Sequence, residues 1–118
     1  MSDSTTTIAE LRNLIQEFVS ERNWEQFHTP KNLAMSISIE AAELMELFQW
    51  TDAEESSRRI AVEPHRTRLA EELADVLCYA LSLANATGLD LSEAIRAKLV
   101  KNRAKYPADE FRDRFERL

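Results

Sequence analysis

Apolar residues recur along most of the chain every three or four positions, which is the spacing of one face of an α-helix. The pattern predicts four main helices with short breaks between them. Thr29 and Pro30 are typical of a helix start, and Gly88 is typical of the residue that follows a helix end. The predicted helices run from about Thr6 to Ser20, from Pro30 to about Trp50, from Pro64 to about Ala86, and from Asp90 to just before Pro107.

Composition supports an all-α fold. The chain has 118 residues with 1 Gly and 3 Pro, so it offers few of the turns that a sheet-containing fold needs. We predict an antiparallel domain resembling a four-helix bundle over residues 6–107, after a disordered N-terminus at residues 1–5. Residues 108–118 are predicted to form a charged tail or a short helix, and residues 52–61 a short helix or a loop.

Charge and hydropathy exclude several classes of protein. The net charge of −6 argues against a nucleic-acid-binding protein, which needs clustered Lys and Arg against the phosphates. No run of about 18 apolar residues is present, and the N-terminus lacks a signal-peptide pattern, so we expect a cytoplasmic protein without membrane contact. The single cysteine, Cys78, cannot form an intrachain disulfide and is expected in the core.

Two acids lie on the apolar face of the second predicted helix. On a wheel of about 100° per residue, Glu40 falls within roughly 40° of Leu33 and Leu44. Glu43 lies about 60° to one side, still on the apolar arc. An exposed helix face would not place carboxylates among leucines, so this pair needs a partner of opposite charge.

The third predicted helix repeats the arrangement. Glu72 falls within roughly 60° of Leu69 and Val76, and Asp75 lies about 60° away. The stretch 73–86 is apolar nearly all round and is expected to be buried on more than one side. A buried carboxylate without a partner is unfavourable, and one divalent cation would satisfy several of them. Oxygen ligands favour Mg²⁺ or Mn²⁺ over zinc.

Two other interpretations of the acids stay open. The inward-facing acids can instead pair with arginines, for which Arg58, Arg59, Arg66 and Arg68 are near enough in sequence. A di-iron carboxylate bundle would need two Glu-x-x-His pairs, and the chain offers only Glu25 with His28. The pattern alone therefore leaves a metal enzyme and a non-catalytic helical oligomer that binds nucleotide or protein as alternatives.

Further polar and aromatic residues are suited to a nucleotide. Rings that can stack on a base occur in a polar loop and at a helix end, and cations that can meet phosphate oxygens occur on the fourth helix. The ordinary alternatives are aromatic packing and lysines that extend from the edge of a core. The candidate substrate-binding residues are Trp24, His28, Trp50, Tyr79, Lys98 and Asn102.

Four segments, taken together in their order and spacing, resemble a known family. They are residues 21–28 (ERNWEQFH), 40–50 (EAAELMELFQW), 71–76 (EELADV) and 102–107 (NRAKYP), the last preceded by Lys98. The chain resembles the all-alpha nucleotide pyrophosphohydrolases of the MazG-like family, and most of all their dCTP pyrophosphatase branch. Many relatives carry a doubled acid where this chain has Ile39 and Glu40, and often Gly at the position of Ala42. The dCTP branch also lacks the doubled acid.

The resemblance implies a reaction and a site. It implies Mg²⁺-dependent hydrolysis of a nucleoside triphosphate to the monophosphate and pyrophosphate, with dCTP or 5-modified dCTP expected and dUTP or other triphosphates as alternatives. It implies that Glu40, Glu43, Glu72 and Asp75 hold the metal, and Glu43 or Glu40 is expected to act as the general base.

The resemblance also implies substrate contacts and an assembly. A pyrimidine pocket would use Trp24, His28, Trp50 and Tyr79, with Lys98 and Asn102 toward the phosphates. Members of the family are homo-oligomers, so a tetramer or a dimer is expected. A role in clearing unwanted nucleotides from the cellular pool follows as an expectation from the resemblance.

Overall fold

The computed structural model describes residues 1–114, which form helices and contain no strand. This confirms the predicted all-α class. The helices are α1 (Ile8–Glu21), α2 (Pro30–Glu46), α3 (Ala53–Arg59), α4 (His65–Thr87), α5 (Leu91–Lys105) and α6 (Ala108–Phe111), with one turn of 3-10 helix at Glu25–Phe27. The stretch 52–61, for which helix and loop were both open, contains α3.

Local side-chain chemistry sets the predicted helix ends. Thr29 Oγ1 accepts a hydrogen bond from the backbone N–H of Asn32 at 3.2 Å, with proline at the first position of α2. Asp90 Oδ1 accepts from the backbone N–H of Glu93 at 2.9 Å at the start of α5. Gly88 ends α4 at φ 68°, the left-handed conformation that glycine adopts without a steric penalty.

The end of α2 differs from the prediction. The helix stops at Glu46, four residues before Trp50. The Leu47 N–H donates to the Leu44 carbonyl at 3.2 Å, three residues back, and the next residues continue as turns. Such three-residue bonds tighten the last turn and release the chain from the helix axis, an effect that apolar spacing does not reveal.

The α2 and α4 helices pack along each other and run in opposite directions. Near the start of α2, the ring of His28 lies 6.5 Å from that of Tyr79. Further along α2, Glu40 meets Glu72, which is earlier in α4. Rising numbers on one helix therefore match falling numbers on the other, and the two acid pairs of the sequence face each other.

The α1 helix packs against α4. Arg12 Nε donates to Asn85 Oδ1 at 2.9 Å, and Asn85 Nδ2 donates back to the Arg12 carbonyl at 3.1 Å. Two reciprocal bonds between partly buried groups fix the position of one helix along the other. The helices α1, α2 and α4 thus form a bundle-like core.

The chain divides into two compact units, Met1–Gly88 and the segment from Leu89 onward. Within the second unit, the rings of Tyr106 and Phe111 meet edge to face with centroids 5.1 Å apart. The assignment of residues 6–107 to one domain stays a prediction. The assignment of residues 1–5 to a disordered terminus also stays a prediction. The predicted tail, 108–118, includes the short helix α6, whereas its residues 115–118 lie outside the described range.

The buried core of the described chain is small. Its nearly inaccessible apolar side chains are Val19, Leu33, Leu81 and Ala84. The expectation that the apolar stretch of α4 is buried on more than one side is wrong for the single chain, because Leu73 and Leu77 are half exposed, at 45% and 53%. No helix within residues 1–114 has both the length and the apolar run needed to cross a bilayer.

Candidate functional site

Three carboxylates from two helices meet at the α2–α4 interface. Glu40 and Glu43 project from neighbouring turns of α2, and Glu72 projects from α4. One oxygen of each lies within 4.8 Å of the others. We call Glu40, Glu43 and Glu72 the carboxylate cluster. It contains both acids of the pair on α2 and one acid, Glu72, of the pair on α4.

The cluster is electrostatically unfavourable by itself. Oε2 of Glu40 and Oε2 of Glu72 are buried and accept no hydrogen bond. Burial, followed by a hydrogen bond to Glu43 and the neighbouring negative charges, raises the pKa of Glu40 from 4.5 to about 7. Burial and then Glu43 also raise the pKa of Glu72, and the charge of Arg68 opposes this only in part. Two orphaned oxygens among hard donors fit a divalent cation of the Mg²⁺ type.

Arginine pairing does not explain the cluster. Within residues 1–114, no ion pair involves Glu40, Glu43 or Glu72. Two of the arginines proposed as partners stay on their own helix, where Arg58 pairs with Glu54 at 3.5 Å and Arg59 with Glu55 at 3.2 Å. The alternative in which guanidinium groups neutralise the inward acids therefore lacks its contacts.

Asp75, the fourth predicted acid, stands beside the cluster. Its charge raises the pKa of both Glu40 and Glu72. The three-carboxylate group does not include it at the same close spacing. Asp75 instead contributes to the wall of an adjoining cavity, so it faces both the acids and that space.

This cavity, of about 440 Å³, lies between α1, α4 and the loop after α1. It brings together three of the aromatic residues that the sequence singled out. The ring of His28 is tilted by 49° against that of Tyr79, and Trp24 packs edge to face on Phe18 at 5.7 Å. We call this space the aromatic cavity; its wall includes Trp24, His28, Asp75, Cys78, Tyr79 and Ser82. Its size and aromatic lining suit a planar organic ring.

Sequence reasoning missed several residues of this wall, among them Cys78 and Ser82 on α4. The expectation that Cys78 lies in the core is wrong, because its side chain is exposed to the cavity. Burial and then the charge of Asp75 raise the pKa of its thiol. A signal was present, because Asp75, Cys78 and Ser82 follow one another at helical spacing on the face that carries a predicted metal ligand.

Three of the predicted site residues are neither in the carboxylate cluster nor among the residues that line the aromatic cavity. Trp50 follows α2 in a turn, is 87% exposed and does not line the aromatic cavity. Lys98 and Asn102 lie on α5, in the second unit, where Lys98 is exposed and Asn102 is half-buried. The roles predicted for these three residues stay predictions.

Comparison of the sequence with known protein families gives a match over most of the chain. A sequence model of the MazG-like family matches residues 35–117, which include all four predicted metal ligands. The chain belongs to the MazG-like family. The match confirms the resemblance that the motifs indicated, and it covers the four acids but not the loop that carries Trp24 and His28.

The sequence similarity to dCTP pyrophosphatase 1 from two organisms extends over most of this chain. dCTP pyrophosphatase 1 of Homo sapiens is 45% identical over 103 residues, which are 86% of this chain and 60% of the human protein. dCTP pyrophosphatase 1 of Bos taurus is 42% identical over 104 residues, which are 88% of this chain. The chain thus spans about 62% of the length of the bovine relative.

A solved structure supports the MazG-like fold. The crystal structure of a pyrophosphatase from Archaeoglobus fulgidus superimposes with a TM-score of 0.80 at 42% sequence identity. The match covers 91% of this chain and 98% of the archaeal chain. The all-helical architecture is therefore shared over nearly the whole length of both proteins.

Proposed function

We propose that the protein is a Mg²⁺-dependent nucleoside triphosphate pyrophosphohydrolase, which converts a deoxynucleoside triphosphate to the monophosphate and pyrophosphate. The observation that carries this proposal is the pair of buried, unpartnered oxygens of Glu40 and Glu72 beside an aromatic cavity. The names of the relatives support dCTP as the substrate. The family resemblance adds 5-modified dCTP, and another triphosphate such as dUTP is the alternative. Clearance of unwanted nucleotides is the proposed biological role.

Glu40, Glu43, Glu72 and Asp75 would hold the metal, with Mn²⁺ as a possible substitute for Mg²⁺. The first three already have oxygens within 4.8 Å of one another, and Asp75 adds negative charge from the cavity side. When bound, such an ion neutralises phosphate charge and lowers the pKa of a water molecule. A di-iron bundle would also need two histidines as ligands, and the carboxylate cluster contains none.

Glu43 is the better placed general base. It is the exposed member of the carboxylate cluster, whereas one oxygen of Glu40 is buried. An exposed carboxylate can accept a proton from a water molecule that attacks the triphosphate, and it can pass that proton to solvent. Glu40, the other proposed catalytic residue, would mainly fix the position of the acids between α2 and α4.

The aromatic cavity is proposed to hold the base. Trp24, His28 and Tyr79 present ring surfaces, and the adjacent Asp75 connects this space to the carboxylate cluster. A nucleotide with its base among the rings would extend its phosphates toward the acids. Trp50 stays a proposed contact from outside this cavity. Lys98 and Asn102 stay proposed ligands of the phosphate oxygens.

A homo-oligomer, tetrameric or dimeric, is the proposed assembly. Apolar side chains at four-residue spacing leave a face of α2 and a face of α4 exposed, through Met35 with Ile39 and Leu73 with Leu77. Contiguous exposed apolar surface of this kind marks protein contacts in stable proteins. A second copy of the chain would cover it.

Pyrophosphate release tests the proposal. Purified protein is incubated with dCTP and Mg²⁺, and dCMP and pyrophosphate are separated by ion-exchange chromatography. We expect both products in equal amounts, and a loss of at least about 100-fold in kcat for Glu43→Gln and Asp75→Asn. Glu46→Gln, an exposed acid one turn beyond Glu43, is the matched control and should retain activity. Nucleotide binding without product formation would instead support the non-catalytic oligomer.

A further inference from the structure

Arg68 is a cation beside the carboxylate cluster that has no assigned role. It lies on α4 four residues before Glu72, and residues at this spacing are neighbours on one face of a helix. Its positive charge acts on Glu72, where it opposes the rise in the pKa of the carboxyl group. Within residues 1–114, however, the exposed Arg68 side chain makes neither an ion pair nor a hydrogen bond. Its guanidinium group is therefore available to a ligand.

Arg68 shares one stripe of α4 with three residues of the candidate site. On a wheel of about 100° per residue, Glu72, Asp75 and Tyr79 all fall within roughly 40° of Arg68. Tyr79 lines the aromatic cavity, Asp75 lies between that cavity and the acids, and Glu72 belongs to the carboxylate cluster. At a rise of about 1.5 Å per residue, Arg68 stands about 16 Å along the helix from Tyr79. The order along α4 is thus aromatic ring, acids and guanidinium group.

This order matches the parts of a nucleoside triphosphate. With the base among the rings and the phosphates directed toward the acids, the terminal phosphates lie furthest from the aromatic cavity. A guanidinium group at that end can bind phosphate oxygens through two parallel hydrogen bonds, which a lysine cannot form. The β- and γ-phosphates leave together as pyrophosphate, so a cation there also stabilises the negative charge of the leaving group.

We propose that Arg68 binds the terminal phosphates of the substrate, the part that leaves as pyrophosphate. The inference rests on the proposed function and adds to it a phosphate ligand from the same compact unit as the carboxylate cluster. It also gives the site a means to distinguish a triphosphate from a monophosphate, because a monophosphate is too short to reach Arg68. The neighbouring Arg66 lies about 120° away around α4, outside the stripe, and has no such role.

Binding of inorganic pyrophosphate in the presence of Mg²⁺ tests the assignment without turnover. Calorimetry on the wild type, Arg68→Gln and Arg68→Lys measures it, with dCMP binding measured in parallel. We expect Arg68→Gln to weaken pyrophosphate binding and to lower kcat/KM for dCTP, each by about tenfold, while dCMP binding stays unchanged. Arg68→Lys should recover part of the loss, because it keeps the charge. Arg66→Gln makes the same change in charge at another exposed position of α4 and should alter none of these quantities.

The metal site needs a separate measurement, because the charge of Arg68 also acts on Glu72. Removal of a positive charge beside the acids should leave their affinity for a cation unchanged or raise it. Mn²⁺ binding in the absence of nucleotide and phosphate should therefore not weaken in Arg68→Gln. A weaker Mn²⁺ affinity would assign the effect on pyrophosphate to the metal site and overturn the inference.

The outcomes separate this inference from the proposed function. Hydrolysis of dCTP with unchanged pyrophosphate binding in Arg68→Gln would overturn the inference and leave the pyrophosphohydrolase proposal standing. Equal losses in Arg66→Gln and Arg68→Gln, or an equal loss of dCMP binding in Arg68→Gln, would also overturn it. Absence of hydrolysis by a wild type that binds pyrophosphate through Arg68 would support the inference and contradict the catalytic proposal. Thermal unfolding of each variant verifies that it folds.

Discussion

Glu40 on α2 and Glu72 on α4 face each other with one carboxylate oxygen apiece buried and without a hydrogen-bond partner. Neither charge has a cation within ion-pair distance in the described chain. Helix packing has thus brought together two groups that repel each other when ionised. The arrangement is stable only if a proton or a cation joins them, and the second case is the basis of the proposed function.

Glu72→Gln is predicted to stabilise the metal-free protein and to remove its response to Mg²⁺. The amide keeps the shape of the side chain but removes the negative charge whose oxygen lacks a partner, so we expect the unfolding midpoint in EDTA to rise. In the wild type, Mg²⁺ at about 100 times its Kd should add about 2.7 kcal/mol. Thermal unfolding with and without Mg²⁺ measures both effects. Glu71→Gln, the exposed neighbour on α4, is the control, and equal Mg²⁺ responses in all three proteins would contradict the prediction.

The metal-free protein is predicted to lose stability as the pH rises from about 4.5 to about 7. The fold raises the pKa of Glu40 from 4.5 to about 7, so between these values the folded state binds more protons than the unfolded state. Stability therefore falls with rising pH across this window. Unfolding midpoints in EDTA at a series of pH values measure the slope. Glu40→Gln should flatten it, and a wild-type slope of opposite sign in this window would show that Glu40 ionises without penalty.

Leu77→Lys is predicted to dissociate the proposed oligomer. The side chain is 53% exposed in the single chain, so a lysine there should not disturb the core but should place a charge in an apolar contact. Sedimentation velocity should show the mass of a single chain for the variant and a multiple of it for the wild type. Glu71→Gln makes the same change of one positive unit in net charge at an exposed polar position of α4 and should keep the wild-type mass. A monomeric wild type would refute the assembly.

The two tryptophans are predicted to differ in their effect on KM. Trp24 lines the aromatic cavity, so Trp24→Ala should raise KM for dCTP by about tenfold through loss of stacking, with a smaller effect on kcat. Trp50 is 87% exposed and lies outside that cavity, so Trp50→Ala should raise KM less. Steady-state kinetics on both variants provides the comparison. A larger effect at Trp50 would move the base-binding site away from the aromatic cavity.

The helices and their starts could be predicted because their causes are local. Thr29 with Pro30 and Asp90 with Glu93 act within one turn of chain, and Gly88 ends a helix through its own backbone. The end of α2 could not be predicted in this way. Its apolar spacing continues through the following turn, whereas the backbone bonds of Leu47 and Phe48 already run to the carbonyl three residues back, where the α-helix ends.

The parts of the site that have local causes could likewise be predicted, and those that have tertiary causes could not. Each acid pair could be found from helical spacing, because Glu40 and Glu43, and likewise Glu72 and Asp75, lie three residues apart. The antiparallel register that brings the pairs together is a tertiary property, although the family resemblance indicated it. The cavity role of Ser82 could not be predicted, because a serine within an apolar helix reads as a small core residue. The exposure of Leu77 likewise depends on surfaces that a single sequence does not specify.

Crystals of the protein soaked in Mn²⁺ test the central claim most directly, because manganese has an anomalous signal that magnesium lacks and accepts the same oxygen ligands. We predict an anomalous peak between α2 and α4, bound by the carboxylates of Glu40, Glu43 and Glu72, and lost in Glu72→Gln crystals. If no such peak appears at a saturating Mn²⁺ concentration, and the acids are instead joined by protons or by guanidinium groups, the account is contradicted.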